Sequence, residues 1–291
     1  MTTATSKEQN MSNSSSKGTA LITGASSGIG AVYADRLARR GYDLILVARR
    51  GDRLDTLAER LRREQKVAVQ TVVADLTAPD DLSRVEGVVA GNERVTMLVN
   101  NAGTAKMGAA VDANAADQQA MIALNVTALT RLSLAVLPKF LERRQGTIIN
   151  IGSVLSFHTL PISGIYSGTK GYVMNFTRGL QQEVAGRKVF VQLVLPATTR
   201  TEIWDLSRVS LSDRDPRTIM SAEDLVDAAL AGLDRGEEIT LPSVEDATLW
   251  DSYDAARQEL FAASQNGKPA SRYSAGLLGP KLEELAATAT R

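Results

Sequence analysis

The 291-residue chain carries 33 basic and 33 acidic side chains, and a net charge near zero gives no electrostatic reason to expect nucleic acid or an anionic membrane as partner. It has no cysteine and one histidine, His158, which excludes disulfides, thiolate metal sites and a histidine-built metal centre. The hydrophobic fraction of 44% supports a large core, while no apolar run nears the roughly 18 residues of a membrane span and no signal core is visible, so a soluble cytoplasmic chain is expected.

Residues 1–17 are rich in Ser, Thr and Asn and read as a disordered tail. From Thr19 an apolar run, Ala20-Leu21-Ile22, leads into Thr23-Gly24-Ala25-Ser26-Ser27-Gly28-Ile29-Gly30, and a helical stretch follows to about Arg40. Strand, glycine turn and helix in this order bring backbone N–H groups and the positive end of a helix dipole towards a phosphate. The glycine spacing differs from the common G-x-G-x-x-G form. A second buried strand, Tyr42 to Ala48, ends at Arg49-Arg50. In a dinucleotide fold this strand end faces the adenosine ribose, where an acid would bind a 2′-hydroxyl and an arginine a 2′-phosphate. Arg49 is the candidate here.

A helix over 53–65, a strand from Val67 to Val73 closed by Asp75, a helix over 79–90 and a strand from Val95 to Val99 come next. The last of these is closed by Asn100-Asn101-Ala102-Gly103. A long helix over 115–142 holds Asn125 among apolar residues, although asparagine is mildly unfavourable in a helix interior. The fifth strand, Gly146 to Ile151, ends in Gly152-Ser153. The following helix, to about Ala185, carries Tyr166 and Lys170 one turn apart and therefore on one face. An ammonium beside a phenol favours the phenolate, so the pair could exchange a proton with a substrate oxygen. The sixth strand, Val189 to Leu195, ends in Pro196-Ala197-Thr198-Thr199-Arg200-Thr201. Residues 200–220, with Trp204 and Pro216, show no clean period. A helix over 221–236, a short seventh strand from Glu238 to Leu241 and an amphipathic helix from Ser243 to about Ser264 follow. The expected fold is α/β: one doubly wound, mostly parallel, seven-stranded Rossmann-like sheet in a single domain over 18–265, with an extension over 266–291.

Together these residues resemble the short-chain dehydrogenase/reductase superfamily. The motifs are the Thr23–Gly30 loop, Asn100-Asn101-Ala102-Gly103, Asn125, Ser153 and Tyr166 with Lys170, in the family's order and approximate spacing from residue 19 to about 201. Ala48-Arg49-Arg50 is similar to the NADP-preferring members. Ala197 departs from the glycine the family usually has after this proline, and Gly168 from a common alanine.

The resemblance implies a catalytic set of Asn125, Ser153, Tyr166 and Lys170. Tyr166 would protonate a carbonyl oxygen, Ser153 would hydrogen-bond it, Lys170 would lower the tyrosine pKa and hold the nicotinamide ribose, and Asn125 would hold a water beside Lys170. The cofactor NADPH would lie along Gly24, Ser26, Ser27, Gly28 and Ile29, with Arg49 at the 2′-phosphate and Asp75 at the adenine. Asn101, Ala102, Gly103 and Pro196 would also bind the cofactor, and Thr201 and the backbone near Thr199 would hold its carboxamide. Residues 200–220 would form a flap over the substrate. The substrate would be a small carbonyl or alcohol in an apolar pocket near Leu155, Phe157, Leu160 and Trp204, with His158 a candidate pocket-lining residue. No metal is implied, and a homodimer or homotetramer is. Two other readings stay open on the sequence: a nonenzymatic dinucleotide sensor or scaffold, and an NAD-dependent alcohol dehydrogenase.

Overall fold

The computed structural model describes residues 17–207 and 209–273, leaving the side chains of Leu206 and Asp213 aside. Residues 1–16 of the expected tail and most of the expected extension lie outside the described residues. Among the described residues seven parallel strands form one sheet in the order β3-β2-β1-β4-β5-β6-β7. They are β1 (Thr19–Thr23), β2 (Asp43–Ala48), β3 (Val69–Val73), β4 (Val95–Asn100), β5 (Gly146–Ile151), β6 (Val189–Val194) and β7 (Ile239–Thr240). Continuous apolar runs form these strands because a parallel sheet is buried on both faces. Alternation decides which face: Ala20, Ile22, Leu44 and Leu46 join one core, while Leu21, Ile45 and Val47 join the other.

Helices α1 (Gly28–Arg39), α2 (Gly51–Gln65) and α8 (Ala222–Asp234) cover the first face. Helices α3 (Pro79–Gly91), α5 (Leu129–Arg143) and α6 (Gly164–Val184) cover the second. The expected helix over 115–142 is not uniform. It runs as α4 (Ala115–Ile122), a π-helical turn (Ala123–Ala128) and then α5. As a whole, Ala115–Arg143 is long and apolar enough, by length and composition, to cross a membrane, contrary to the expectation that no segment would be. Its apolar character has a local reason. Leu129, Leu132, Val136 and Phe140 are buried in the second core.

The chain divides into two compact units, the first ending at Ser243 and the second beginning at Val244. The expected domain boundary lay later, after residue 265. The first unit holds the sheet and the α7 segment (Ile203–Ser207). The second contains α9 (Thr248–Ser264), on which Leu249, Leu260 and Phe261 are exposed.

Helix α1 is fixed by charge as well as by its apolar face. Asp35, buried, accepts from Arg60 of α2 at 2.9 Å and from Arg36 at 2.8 Å, and its carboxylate also meets Arg39 at 2.9 Å. Arg36 in turn forks onto Asp227 of α8 at 2.7 and 3.0 Å. Burial opposes the charge on Asp35, but the hydrogen bonds from Arg60 and Arg36 and the charges of Arg39 and Arg60 outweigh it and hold the carboxyl below its usual range. Asp35→Asn is expected to destabilise the fold by about 1–3 kcal/mol at neutral pH, since it weakens charge-assisted bonds at a buried group. A depressed carboxyl stabilises above its unfolded pKa of about 4, and that contribution fades as pH falls through the folded value. Urea denaturation should therefore show the gap between parent and variant hold from pH 7 to about pH 4 and narrow as the pH falls further.

Candidate active site

The carboxyl ends of the strands meet where the winding reverses, between β1 and β4. Parallel sheets of this kind bind ligands at that point. Thr23 stitches the two strand ends: its hydroxyl accepts the N–H groups of Asn101 and Ala102, each at 3.0 Å, and donates to the Val99 carbonyl at 3.3 Å. Asn101 Nδ2 donates back to the Thr23 carbonyl at 2.9 Å. The Asn101 side chain therefore faces the glycine turn, and α1 starts where this stitch leaves room. At Gly30 a Cβ would stand 2.4 Å from the Gly24 carbonyl oxygen and 2.5 Å from Asn101 Nδ2, so the turn accepts hydrogen alone there. Gly24 has φ +67°, which only glycine adopts freely.

A cleft of about 800 Å³ opens above this point. Gly24, Ser26, Ser27, Gly28 and Ile29 line one side, and Asn101, Ala102, Gly103, Pro196, Thr199 and Thr201 another. Arg49, Asp75, Ser153, Tyr166 and Lys170 line it as well. The candidate catalytic and cofactor-binding residues thus share one cleft except Asn125, which is buried behind it. The first N–H groups of α1 lack intrahelical partners by helix geometry and suit a phosphate, and the volume suits a dinucleotide. The residues present therefore fit a nicotinamide dinucleotide.

Asn125 sits in the π-helical turn, where a wider winding offsets the following residues from α register. Its Nδ2 donates to the Thr104 carbonyl and to the Thr169 hydroxyl at 2.9 and 3.1 Å, and its Oδ1 accepts the Thr104 N–H at 2.9 Å. Asn125 thus ties the loop after β4 to α6, next to Lys170.

Tyr166 and Lys170 leave one face of α6 as the four-residue spacing predicts, and the ammonium lies 5.9 Å from the phenol ring centroid. Lys170 Nζ donates to the Ile151 carbonyl at 2.9 Å. Burial pulls the Lys170 ammonium down to about 8. Burial also pushes the Tyr166 phenol up to about 12, against the opposing hydrogen bond of the Ser153 hydroxyl. The expectation that Lys170 lowers the tyrosine pKa is therefore not met in this arrangement. Desolvation of the ring outweighs the hydrogen bond from Ser153, and the phenol is in its protonated form at neutral pH.

Met107, Leu155, Leu160 and Ile203 give the substrate side of the cleft an apolar wall. Trp204 closes it from α7, donating Nε1–H to the Thr199 carbonyl at 2.7 Å, with the Arg214 guanidinium 5.3 Å above its ring. Phe157 and His158, expected at the pocket, are exposed and do not line it. They fall in the loop before α6. Asp75 accepts from the Thr77 N–H and hydroxyl at 2.9 and 2.8 Å and lies 4.0 Å from Arg49.

Sequence reasoning overlooked Arg53 and Glu202 and chose Arg49 over its neighbour Arg50 for the phosphate. Arg50 donates to the hydroxyls of Ser26 at 3.0 Å and Ser27 at 2.7 Å. Arg49 is two-thirds exposed. The signal for Arg50 was available as a second arginine directly after β2, next to two serines in the glycine turn.

A family model described as short chain dehydrogenase matches residues 18–210. The chain is 47% identical, with a TM-score of 0.85, to a short-chain dehydrogenase from Sphingobium yanoikuyae in complex with NADPH, over 88% of this chain and 100% of that one. It is 43% identical, with a TM-score of 0.81, to the bulky-bulky ketone specific alcohol dehydrogenase from Comamonas testosteroni, over 88% and 98%. It is 32% identical to the very-long-chain 3-oxoacyl-CoA reductase-B of Danio rerio, over 70% of this chain and 67% of that protein. The matched part thus spans about two-thirds of the curated relative's length.

The geometry of Asn125 generates one expectation of its own. Asn125→Ala leaves the N–H and the carbonyl of Thr104 without their partner, at about 1–3 kcal/mol for a buried unsatisfied group. Denaturant titration should register that loss, and hydrogen exchange should rise at residues 103–105 before it rises in the sheet.

Proposed function

The chain belongs to the short-chain dehydrogenase family, and from that membership we propose that it is an NADP(H)-dependent oxidoreductase acting on the carbonyl or secondary alcohol of a largely apolar small molecule. The observation that carries the reading is the convergence of the Tyr166 phenol, the Ser153 hydroxyl and the Lys170 ammonium on one wall of the dinucleotide-sized cleft. A nonenzymatic sensor has no use for a buried phenol hydrogen-bonded by a serine.

When bound, the nicotinamide supplies or accepts the hydride. Tyr166, protonated at neutral pH, donates its proton to the carbonyl oxygen during reduction. Ser153 donates a hydrogen bond to the same oxygen and stabilises the charge that develops there. Lys170, held by the Ile151 carbonyl, would be placed to hold the ribose of the bound dinucleotide. Asn125 keeps the Thr104 loop and α6 in fixed relation, so that Lys170 and Tyr166 keep their positions. The apolar wall of Met107, Leu155, Leu160 and Ile203 excludes water and receives the flanks of the carbonyl. A bulky ketone suits that wall, in keeping with the specificity of the Comamonas relative.

Preference for the phosphorylated cofactor follows from the end of β2. Ala48 stands there with no carboxylate, and Arg49 and Arg50 follow. An acid would repel a 2′-phosphate, whereas a guanidinium offers it a planar fork of donors. The NADPH complex of the Sphingobium relative supports the assignment.

Tyr166→Phe keeps the ring and its packing and removes only the proton donor. Turnover of a bulky ketone, followed by NADPH absorbance, should fall about a hundredfold to ten-thousandfold. NADPH binding, followed by fluorescence, should persist. Near-normal turnover in the variant would overturn the role of Tyr166.

The cofactor assignment is tested by the ratio of catalytic efficiencies with NADPH and NADH. A charge-assisted hydrogen bond is worth roughly 1.5–3 kcal/mol. Each 1.4 kcal/mol is about tenfold, so NADPH should lead by roughly ten- to a hundredfold. Arg49→Ala and Arg50→Ala should each erode that margin while NADH use changes little, and the Arg50 variant should lose more because its guanidinium already meets both serines. Equal efficiencies in the parent protein would remove the preference for NADP(H).

The reading also carries a symmetric dimer or tetramer. Leu134 of α5 is exposed, and Tyr172 of α6 is exposed and stacked on Phe176 at 5.8 Å. Light scattering should return a multiple of the 31.1 kDa chain mass.

A further inference from the structure

The guanidinium of Arg50 has two clients. One edge serves the glycine turn through Ser26 and Ser27, and Nη1 donates to Glu202 Oε2 at 2.6 Å. Arg53, in the first turn of α2, donates to Glu202 Oε1 at 2.5 Å. One carboxylate therefore bridges two arginines at the start of α2, and it belongs to the residue immediately before α7. Hydrogen bonds from Arg50 and Arg53 pull the Glu202 carboxyl down to about 2, so it is an anion throughout the physiological range. All three side chains line the cleft.

A carboxylate and a phosphate monoester are alternative ligands for the same guanidinium fork, and each is recognised by two or more N–H donors. The cradle of Arg50, Ser26 and Ser27 stands at the end of β2, where an added ribose phosphate would be received. We propose that Glu202 is a built-in competitor for that cradle: it occupies the arginines with a carboxylate and so lowers the preference for a phosphorylated over an unphosphorylated dinucleotide. Its placement also makes the α7 segment part of cofactor selection, because the carboxylate that a phosphate displaces is the tether between α7 and α2. This inference rests on the NADP(H) reading above.

Removing the negative charge should free both arginines for the phosphate and leave a cofactor without that phosphate nearly indifferent. The test is the dissociation constant of NADPH and of NADH, measured by calorimetry on the full chain with no substrate present, for the parent, Glu202→Gln and Glu202→Ala. Glu202 is close to half-exposed, so both variants should fold, and thermal melts check that they do. NADPH should bind about tenfold more tightly in both variants, equivalent to about 1.4 kcal/mol, with NADH within about twofold of the parent. An unchanged NADPH-to-NADH ratio, an equal gain for both cofactors, or weaker NADPH binding would each overturn the proposal. Weaker binding would mean that Glu202 orients Arg50 for the phosphate. If the parent protein binds neither cofactor, or favours NADH, the NADP(H) reading fails as well. If the parent favours NADPH and the variants leave the ratio unmoved, the competition by Glu202 alone is wrong.

Discussion

The cleft depends on the parting of β1 and β4 at their carboxyl ends. Neighbouring parallel strands would ordinarily continue into connections that run to the same side. Here β1 leads to α1 on one face, and the chain beyond β4 leads to α5 on the other. A gap must open between connections that leave in opposite directions. Thr23 and Asn101 keep its floor rigid, because a single hydroxyl serves two backbone N–H groups and one carbonyl across the strands. The glycine turn, the start of α1 and the loop that Asn125 holds all take their positions from that stitched floor.

The same edge of the sheet is braced from below by amides. Asn100 Nδ2 donates to Asn150 Oδ1 and to Ser133, each at 2.9 Å, and Asn150 Nδ2 donates to Thr177 at 3.0 Å. These buried bonds join β4, β5, α5 and α6. A buried amide stabilises little unless it is paired, but once paired it fixes a register that apolar contacts alone would leave free to slide. Asn150 precedes Ile151, whose carbonyl holds Lys170. The reacting wall and the second core are thus joined through one residue of β5.

Much of this was legible in the sequence. Strand and helix alternate with strong punctuation, and Gly, Asn, Ser and Pro fall at strand ends, so the order of elements and the shared cleft could be read from the residue pattern. Boundaries drifted where the cause is tertiary. The third strand starts at Val69 rather than Val67, and the seventh shrinks to Ile239–Thr240, since an edge strand extends only as far as its one neighbour pairs with it. The π turn was not legible, because no side-chain period separates a wide turn from an α turn over six residues. Asn125 in a helix interior was the trace it left. The tyrosine pKa was misjudged for a related reason. Helix spacing gives proximity along one face, but the balance between a neighbouring charge and desolvation is set by packing from Met107 and Met121, which come from other elements. Glu202 escaped notice because its partners lie far away in sequence, at the start of α2.

The π turn has a consequence for how such chains are aligned. A π-helical turn holds more residues per turn than an α-helix, so it amounts to an insertion written inside a helix. Alignment schemes that forbid gaps within helices would carry the register of α4 straight through Ala123–Ala128 into α5. Every position after the turn would then be assigned to the wrong helix face, including Leu129, Leu132 and Ser133, which lie buried. Against a chain that lacks the wide turn, the extra residue would fall within Ala123–Ala128, the segment that holds Asn125.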